Sequence, residues 1–358
     1  MLDMAMTPGW EDIFNELLRA PGVAMVVGAV DTGKTYLCRE LCNAGIEAGV
    51  PTAIVDADVG QSEVGAPGTI GMAMVEQPVE MLSTLKPRRL YFVGSTTPAA
   101  HLLECAVGTR KMVDSAREQG ARLVVVDTTG LVEGALGLKL KTYKIDLVRP
   151  DFLIGMQRRR EIEHILEPFA NIPSIRIRRV ATSELARRKP PQMRAARRRL
   201  NFYRHFHDCE GHIIRLDDVA CWNTWFGTGR PMKWQYIKFA EDALKCRILH
   251  AEVTGAGIFI VSERACRLEE TRQLIELFKT RNIRLTTANV FQNLLLGLAD
   301  DTGRTLDVAL LQAIDFKQRF MFVLSPIRTV SPVRVVQFGG IRVTKEGEEL
   351  GSVKPGDL

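Results

Sequence analysis

The sequence has no Cys-x-x-Cys pair, no secretory leader pattern and no apolar run of the ~18 residues that a membrane-spanning helix requires. Its seven cysteines are scattered and odd in number, which is typical of free thiols in a reducing compartment. The first 20 residues include four acidic side chains, which disfavours an export signal. These absences predict a cytoplasmic protein without membrane contact, whose stability does not depend on disulfides.

The charge of the chain is unevenly distributed. Its 358 residues suffice for two domains of ~150 residues each, and the net charge is +6. Residues 158–204 contain 14 Lys plus Arg against four Glu and no Asp, a local charge of +10. So concentrated a basic segment indicates a polyanionic partner, although a solvated arginine-rich helix face has the same composition.

Buried strands alternate with helices over the first 180 residues. The runs that predict strands are apolar and end in glycine or polar residues, whereas the helical segments have apolar residues three or four apart. Strands are predicted at 22–28, 52–60, 89–95, 122–130, 151–157 and 174–180, and helices at 10–20, 35–49, 101–118 and 160–170. This alternation predicts an α/β fold with a parallel sheet flanked by helices.

The pattern changes after about residue 209. Short β-like runs separated by Gly, Pro and Asp follow, with one helical stretch at 267–280. We therefore predict two domains: an α/β domain over residues 1–208 and a smaller β-rich domain over residues 209–358.

The segment GAVDTGKT, residues 28–35, fits the phosphate-binding pattern G-x-x-x-x-G-K-[ST]. Its glycines let backbone N–H groups surround phosphates, Lys34 reaches the β- and γ-phosphates, and Thr35 offers a hydroxyl to Mg²⁺. A strand precedes the segment and a helix follows it. The N-terminus of that helix therefore points at the bound phosphate. The predicted nucleotide-binding residues are Gly28, Ala29, Val30, Asp31, Thr32, Gly33, Lys34, Thr35 and Tyr36.

Acidic residues end two further strands, and ligands bind at this edge of parallel sheets. Asp56 and Asp58 lie at the end of the second strand, where one could hold Mg²⁺ through water and one could accept a proton from a nucleophile. Asp127 ends the fourth strand and could hold the metal instead. The residues alone leave Asp58 and Asp127 as alternatives, and turn aspartates are common at such positions.

Two more segments carry groups suited to phosphate. GSTTP, residues 94–98, presents three hydroxyls that could contact phosphate or cap the helix that follows. In RRKPPQMRAARRRLNFYRHF, residues 187–206, Arg194 and Arg198 are four apart, so one helix face can direct both at a phosphate. These arginines could stabilise a transferring phosphoryl group or follow a nucleic-acid backbone.

Taken together, GAVDTGKT, DADVGQ, GSTTP, DTTGLV and MRAARRRLNFY resemble the Clp/Grc-type polynucleotide 5′-hydroxyl kinases over roughly residues 22–206. The resemblance implies a short, prokaryotic-type P-loop member that transfers the γ-phosphate of ATP to the 5′-hydroxyl of RNA or DNA ends. It implies that Lys34 and Thr35 hold the ATP phosphates and Mg²⁺. Asp58 then matches the family's Walker B aspartate, which activates the hydroxyl. The implied metal-binding residues are Thr35, Asp58 and Gln61, and Gln61 also lies near the phosphate.

The resemblance also implies an acceptor site formed by Thr97, Thr129 and residue 131, and a lid over about 158–206 that supplies Arg194 and Arg198. Many members have a tryptophan that stacks on the nucleic acid where this chain has Leu131. Stacking is worth ~1–3 kcal/mol per base, so the leucine predicts weaker or less selective acceptor binding. RNA-processing proteins are expected as partners.

Two other functions stay open at this point. One is a partner-regulated NTPase of the metallochaperone or MinD type, which the DADVGQ motif also resembles. The other is a catalytically silent, ATP-binding scaffold for RNA processing. The basic lid with its aromatic residues disfavours the first, and the complete set of Lys34, Thr35, Asp58 and arginines disfavours the second.

Overall fold

The structure, a computed structural model, describes residues 10–182, 190–266, 268–353 and 358. Contacts between residues divide the chain into two compact units, Met1–Asn201 and Phe202–Leu358. The division falls inside a helix, Pro191–Phe206, which the sequence analysis placed wholly in the first domain. Residues 183–189 of the predicted lid and residue 267, the first of a predicted helix, lie outside the described residues.

Seven strands of the first unit are paired in the order β4-β3-β2-β5-β1-β6-β7. Strands β2, β5, β1, β6 and β7 run parallel, as predicted. The central strands β1, β2, β5 and β6 are buried along their whole length, which is why they consist of apolar runs without polar alternation. The strands are β1 (Val23–Gly28), β2 (Thr52–Ala57), β3 (Thr69–Val75), β4 (Arg89–Phe92), β5 (Leu123–Thr128), β6 (Phe152–Gln157) and β7 (Arg176–Ala181).

Strand β3 was not predicted, and it runs antiparallel to β2 and to β4. Its sequence TIGMAMV contains a glycine and an alanine, which have weak strand propensity and hid the signal. The chain reverses before it at Gly65 and Gly68, whose φ angles of 97° and 77° favour glycine. This turn returns the chain to the edge of β2.

Helices cover both faces of this sheet. Alternate residues of β1 belong to different hydrophobic clusters: Met25 packs on the side of α3 and α4, and Val26 on the side of α1 and α2. The predicted helix over 160–170 is only one turn, α5, continued by a 3₁₀ turn that contains Pro168. Helix α4 was not predicted. The helices are α1 (Trp10–Arg19), α2 (Lys34–Glu47), α3 (Leu102–Glu118), α4 (Gly134–Val148), α5 (Glu163–Leu166) and α6 (Pro191–Phe206).

The second unit is rich in β-structure, as predicted. Its larger sheet has the order β18-β17-β14-β15-β16-β8, with β9 parallel to β17, and its smaller sheet has the order β10-β11-β12-β13. The strands are β8 (Glu210–Arg215), β9 (Ala220–Trp222), β10 (Arg230–Pro231), β11 (Ile248–Thr254), β12 (Gly257–Ser262), β13 (Ile283–Thr287), β14 (Leu294–Ala299), β15 (Thr305–Asp315), β16 (Phe320–Ser325), β17 (Val335–Val343) and β18 (Glu349–Ser352).

Two helices accompany the smaller sheet: α7 (Trp234–Leu244), which was not predicted, and α8 (Leu268–Phe278), which was. Residues of α7 and of the sheet share one hydrophobic cluster that includes Ala240, Leu244 and Ile260. None of the helices in the described ranges is long and apolar enough to cross a membrane.

Candidate active site

The glycine-rich loop joins β1 to α2 as the sequence predicts. Gly33, the N-cap of α2, has a φ of 94°, a conformation that side chains with a Cβ rarely adopt. A Cβ on Gly28 would lie 2.6 Å from the carbonyl oxygen of Met156, so this position also requires glycine. Thr32 is buried, and its hydroxyl donates to the carbonyl of Ala29 at 2.9 Å, which closes the loop. The loop is thereby shaped for a phosphate at the start of α2.

Lys34 lies over this loop. Its side chain is buried, and Nζ donates a hydrogen bond of 2.7 Å to the carbonyl of Ala29. The ammonium group is thus held close to the backbone that surrounds the phosphate position, and it can contact phosphate oxygens there.

Thr35, at the start of α2, is bonded to Asp127, near the end of β5. The Thr35 hydroxyl donates to Oδ2 of Asp127 at 2.6 Å. Oδ1 of Asp127 is buried and accepts no hydrogen bond from any residue in the described ranges. Burial raises the pKa of Asp127, against the opposing effects of Lys34 and the Thr35 hydroxyl.

The donor set fits Mg²⁺ bound together with nucleotide phosphates. A hydroxyl beside a carboxylate with an unpaired oxygen offers the oxygen ligands that Mg²⁺ prefers. Across the described ranges, no group of three or more His, Cys, Asp and Glu side chains could hold a metal ion. Where Mg²⁺ is bound together with nucleotide phosphates, a protein typically supplies one or two ligands, and the phosphates and water supply the others.

The two aspartates at the end of β2, Asp56 within the strand and Asp58 just after it, differ in their surroundings. Asp56 is buried; its Oδ2 accepts the N–H groups of Glu63 (2.5 Å) and Val64 (2.9 Å), and its Oδ1 accepts that of Asp58 (3.0 Å). Burial and, to a lesser degree, the charge of Asp127 raise its pKa. These contacts give Asp56 a structural role: it holds the loop between β2 and β3.

Asp58 is half-buried and keeps one oxygen available. Its Oδ1 accepts the N–H groups of Gly60 (3.1 Å) and Gln61 (3.3 Å). Within the described part of the chain, its Oδ2 accepts no hydrogen bond. Asp58 is therefore the aspartate of this pair that can accept a proton from another molecule.

Helix α6 contacts both the glycine-rich loop and the loop that follows β2. Arg194 lies 3.4 Å from Oδ2 of Asp31 in the glycine-rich loop, and its carbonyl accepts a hydrogen bond of 3.3 Å from Gln61 Nε2. Arg158 donates to the carbonyl of Asp31 at 2.8 Å. The structure thus brings Asp31, Gln61 and Arg194 together, and it adds Arg158, which the sequence analysis did not single out.

Further contacts fix the same helix to the loop after β2. Asn201 Nδ2 donates to the carbonyl of Ser62 at 2.9 Å, and Arg197 pairs with Glu63. Arg198, the other predicted lid arginine, is half-buried on this helix. The helix is therefore attached to both the phosphate loop and the loop that begins at Asp58.

The three predicted acceptor residues lie in different environments. Thr97 is exposed; its N–H donates to Ser95 Oγ, and its hydroxyl accepts the N–H of Ala99 in the turn before α3. Thr129 is buried just after β5. Leu131 is half-buried and packs against the cluster on the α3 and α4 side of the sheet.

Two buried lysines beside the carboxylates were missed. Lys141 and Lys144 of α4 are fully buried, and their amines contact the ends of β5 and β2. With Gly137 and Val148 they form one stripe at helical spacing, and these four positions are all buried. The sequence contains this spacing, which would have predicted the helix. It is recognised only if lysine is counted as a core residue.

A strand, a glycine-rich loop, a helix and the paired Thr35 and Asp127 together define a P-loop nucleotide-binding protein. The family model described as "mRNA cleavage and polyadenylation factor CLP1 P-loop" matches residues 28–208. The chain belongs to this Clp1 P-loop family, as its motifs predicted.

Named relatives cover most of the chain. The polyribonucleotide 5′-hydroxyl-kinase of Thermococcus kodakarensis is 34% identical over 341 residues, which are 94% of this chain and 93% of the relative. The corresponding kinase of Pyrococcus horikoshii is 31% identical over 334 residues, 93% of this chain and 89% of the relative. Clp1p from a solved Clp1p–Pcf11p complex has a TM-score of 0.60 at 14% identity, covering 92% of this chain and 77% of Clp1p. The last similarity concerns the fold alone.

Proposed function

We propose that this protein is an ATP-dependent polynucleotide 5′-hydroxyl kinase, which transfers the γ-phosphate of ATP to the 5′-hydroxyl of RNA or DNA ends. The observation that carries the proposal is the placement of two carboxylates beside the P-loop: Asp127, buried and bonded to Thr35, and Asp58, with an oxygen available. The names of the archaeal relatives support the choice of acceptor.

The phosphate loop binds and orients ATP. Backbone N–H groups and Lys34 hold the β- and γ-phosphates, and Thr35 with Asp127 would hold Mg²⁺ directly or through water. When bound, Mg²⁺ neutralises charge on the phosphate oxygens. Gln61, beside Asp58 and the carbonyl of Arg194, is placed to contact the phosphate or the metal's water.

Asp58 acts as the general base in this mechanism. Its Oδ2 takes the proton of the 5′-hydroxyl while the hydroxyl oxygen attacks the γ-phosphorus in line with the departing ADP oxygen. Asp127 serves the metal instead, because it is buried and its Oδ2 already accepts the Thr35 hydroxyl. The proposal thus gives the two aspartates different roles, with Asp58 as the base, as the family resemblance implies, and Asp127 at the metal.

The basic helix closes over the reacting groups and receives the nucleic acid. Arg194 and Arg198 stabilise charge on the transferring phosphoryl group, with Arg194 moving from Asp31 to the phosphate. The remaining arginines attract the acceptor backbone, and Thr97 and Thr129 contact the acceptor end. We further propose RNA-processing proteins as partners, since the matching family model is described as an mRNA cleavage and polyadenylation factor.

ADP release with matched oligonucleotides tests this function. A kinase releases ADP only when a free 5′-hydroxyl is present, so a 5′-hydroxyl RNA is expected to stimulate release and the same RNA with a 5′-phosphate is not. Equal release with both, or without RNA, would favour the partner-regulated NTPase. ATP binding without any release would favour the silent scaffold.

We expect Arg194→Ala to lower the transfer rate roughly 10²-fold, because one donor to the transferring phosphoryl group is removed. Steady-state kinetics with saturating ATP and RNA measure this effect. Arg199→Ala is the matched control, since Arg199 is exposed on the same helix and only helps to attract the acceptor. At saturating RNA we expect its replacement to raise KM for RNA and to leave kcat unchanged. Equal effects of the two substitutions would show that Arg194 acts only through overall charge.

A further inference from the structure

Helix α4 carries two buried ionisable side chains that have no role in the mechanism above. Lys141 and Lys144 are both 0% exposed. A buried amine loses its hydration, so it is retained only with suitable partners, and burial lowers the pKa of both lysines. Apolar side chains of similar volume at these two positions would avoid that cost.

Lys141 is bonded to the end of β5. Its Nζ donates to the hydroxyl of Thr128 at 2.9 Å and to the carbonyl of Thr129 at 2.5 Å. The Thr128 hydroxyl in turn donates to the carbonyl of Val26 in β1 at 2.7 Å. One amine therefore connects α4 to the residues that directly follow Asp127 and, through Thr128, to the strand that leads into the phosphate loop.

Lys144 is bonded to the end of β2. Its Nζ donates to the carbonyl of Ala57 at 3.2 Å. Ala57 is the residue between Asp56, which holds the following loop, and Asp58, the proposed base. The second amine therefore fixes the backbone from which the Asp58 side chain projects.

The groups that influence the pKa of the two lysines lie in the same site, except that the Cys105 thiol of α3 also raises the pKa of Lys144. The carboxylates of Asp58 and Asp127 favour the protonated form of both lysines, and Asp56 favours that of Lys144. Lys34 and Lys144 oppose protonation of Lys141. Both amines thus lie within electrostatic range of the two carboxylates that the mechanism uses.

We propose that Lys141 and Lys144 are positioning residues for phosphoryl transfer. Each holds the end of one strand, so that Asp127 and Asp58 stand at fixed places relative to Lys34 and Thr35. Neither amine touches ATP or the acceptor. The inference rests on the proposed kinase function and adds two residues to it.

The test replaces each buried lysine by methionine, which fills a similar volume without donating a hydrogen bond. Lys141→Met and Lys144→Met are expected to lower kcat for 5′-hydroxyl RNA by about 10- to 10²-fold, since displacing a catalytic group by ~1 Å costs up to ~10²-fold. KM for ATP is expected to stay near the wild-type value. The midpoint of thermal unfolding is expected to stay near the wild-type value or to rise.

Lys139→Met is the matched control, because Lys139 is exposed on the same helix; it is expected to leave kcat, KM and the unfolding midpoint unchanged. Wild-type kcat with a lowered unfolding midpoint, or failure of the variants to fold, would overturn the proposal in favour of a purely structural role. A parallel fall in ATP binding and kcat would also contradict it.

The wild-type protein, measured in parallel, distinguishes failure of the kinase function from failure of the positioning role. No 5′-phosphorylated product from wild type would overturn the kinase function, and the positioning role with it. An active wild type with fully active Met variants would overturn the positioning role alone.

Discussion

Asp58→Asn is expected to lower the rate of phosphoryl transfer by as much as ~10⁴-fold while leaving ATP binding intact. The amide cannot take the proton of the 5′-hydroxyl. Its carbonyl oxygen can still accept the N–H groups of Gly60 and Gln61, so the loop is expected to keep its shape. Single-turnover kinetics with 5′-hydroxyl RNA, together with a direct measurement of ATP affinity, give both quantities.

Asp127→Asn is the informative comparison, because Asp127 ends the neighbouring strand and was the alternative candidate. Its amide can still accept the Thr35 hydroxyl, but it lacks the charge that supports Mg²⁺. We expect a higher Mg²⁺ concentration for half-maximal rate rather than loss of the proton acceptor. Full transfer by Asp58→Asn together with none by Asp127→Asn would reverse the two assignments.

Lys34→Ala is expected to lower the transfer rate by ~10³-fold and to weaken ATP binding, because the β- and γ-phosphates lose their buried cation. The hydrogen bond between Lys34 Nζ and Ala29 lies within the loop, so the fold is expected to survive. Transfer rate, ATP affinity and thermal unfolding are measured together. Lys86→Ala, at an exposed lysine outside the site, is the control, and a similar rate for both variants would exclude Lys34 from the mechanism.

The phosphate loop was predictable because its chemistry demands particular residue types. Only glycine has the backbone freedom that Gly33 requires at a φ of 94°, and no other side chain replaces the lysine that reaches the phosphates. The apolar parallel strands were equally clear. Strand β3 was hidden because its glycine and alanine carry little strand propensity.

The burial and hydrogen bonding of the acidic residues were not predictable from the sequence. Asp56, Asp58 and Asp127 all lie at the ends of predicted strands, and their spacing in the sequence does not show which role each one has. The differences arise from tertiary contacts: Asp56 accepts three backbone N–H groups, Asp127 accepts the Thr35 hydroxyl, and Asp58 keeps one oxygen available. Burial of this kind depends on packing, which a local pattern does not contain.

Helix α4 was missed for a related reason. Hydrophobic periodicity treats lysine as a surface residue, yet Lys141 and Lys144 lie on the buried stripe of this helix. Their acceptors are the carbonyls and hydroxyl at the ends of other strands, distant in sequence. Residues that break the expected hydrophobic pattern beside an active site are often functional, which is a reason to test Lys141 and Lys144.

The most direct test of the central claim follows the γ-phosphate itself. The protein is incubated with γ-labelled ATP, Mg²⁺ and 5′-hydroxyl oligonucleotides of RNA and of DNA, with Lys34→Ala as the control. We predict label on the 5′ end of at least one acceptor and its loss in the variant. Label found only in free phosphate, with both acceptors unmodified, would contradict the kinase function and identify a nucleotide hydrolase instead.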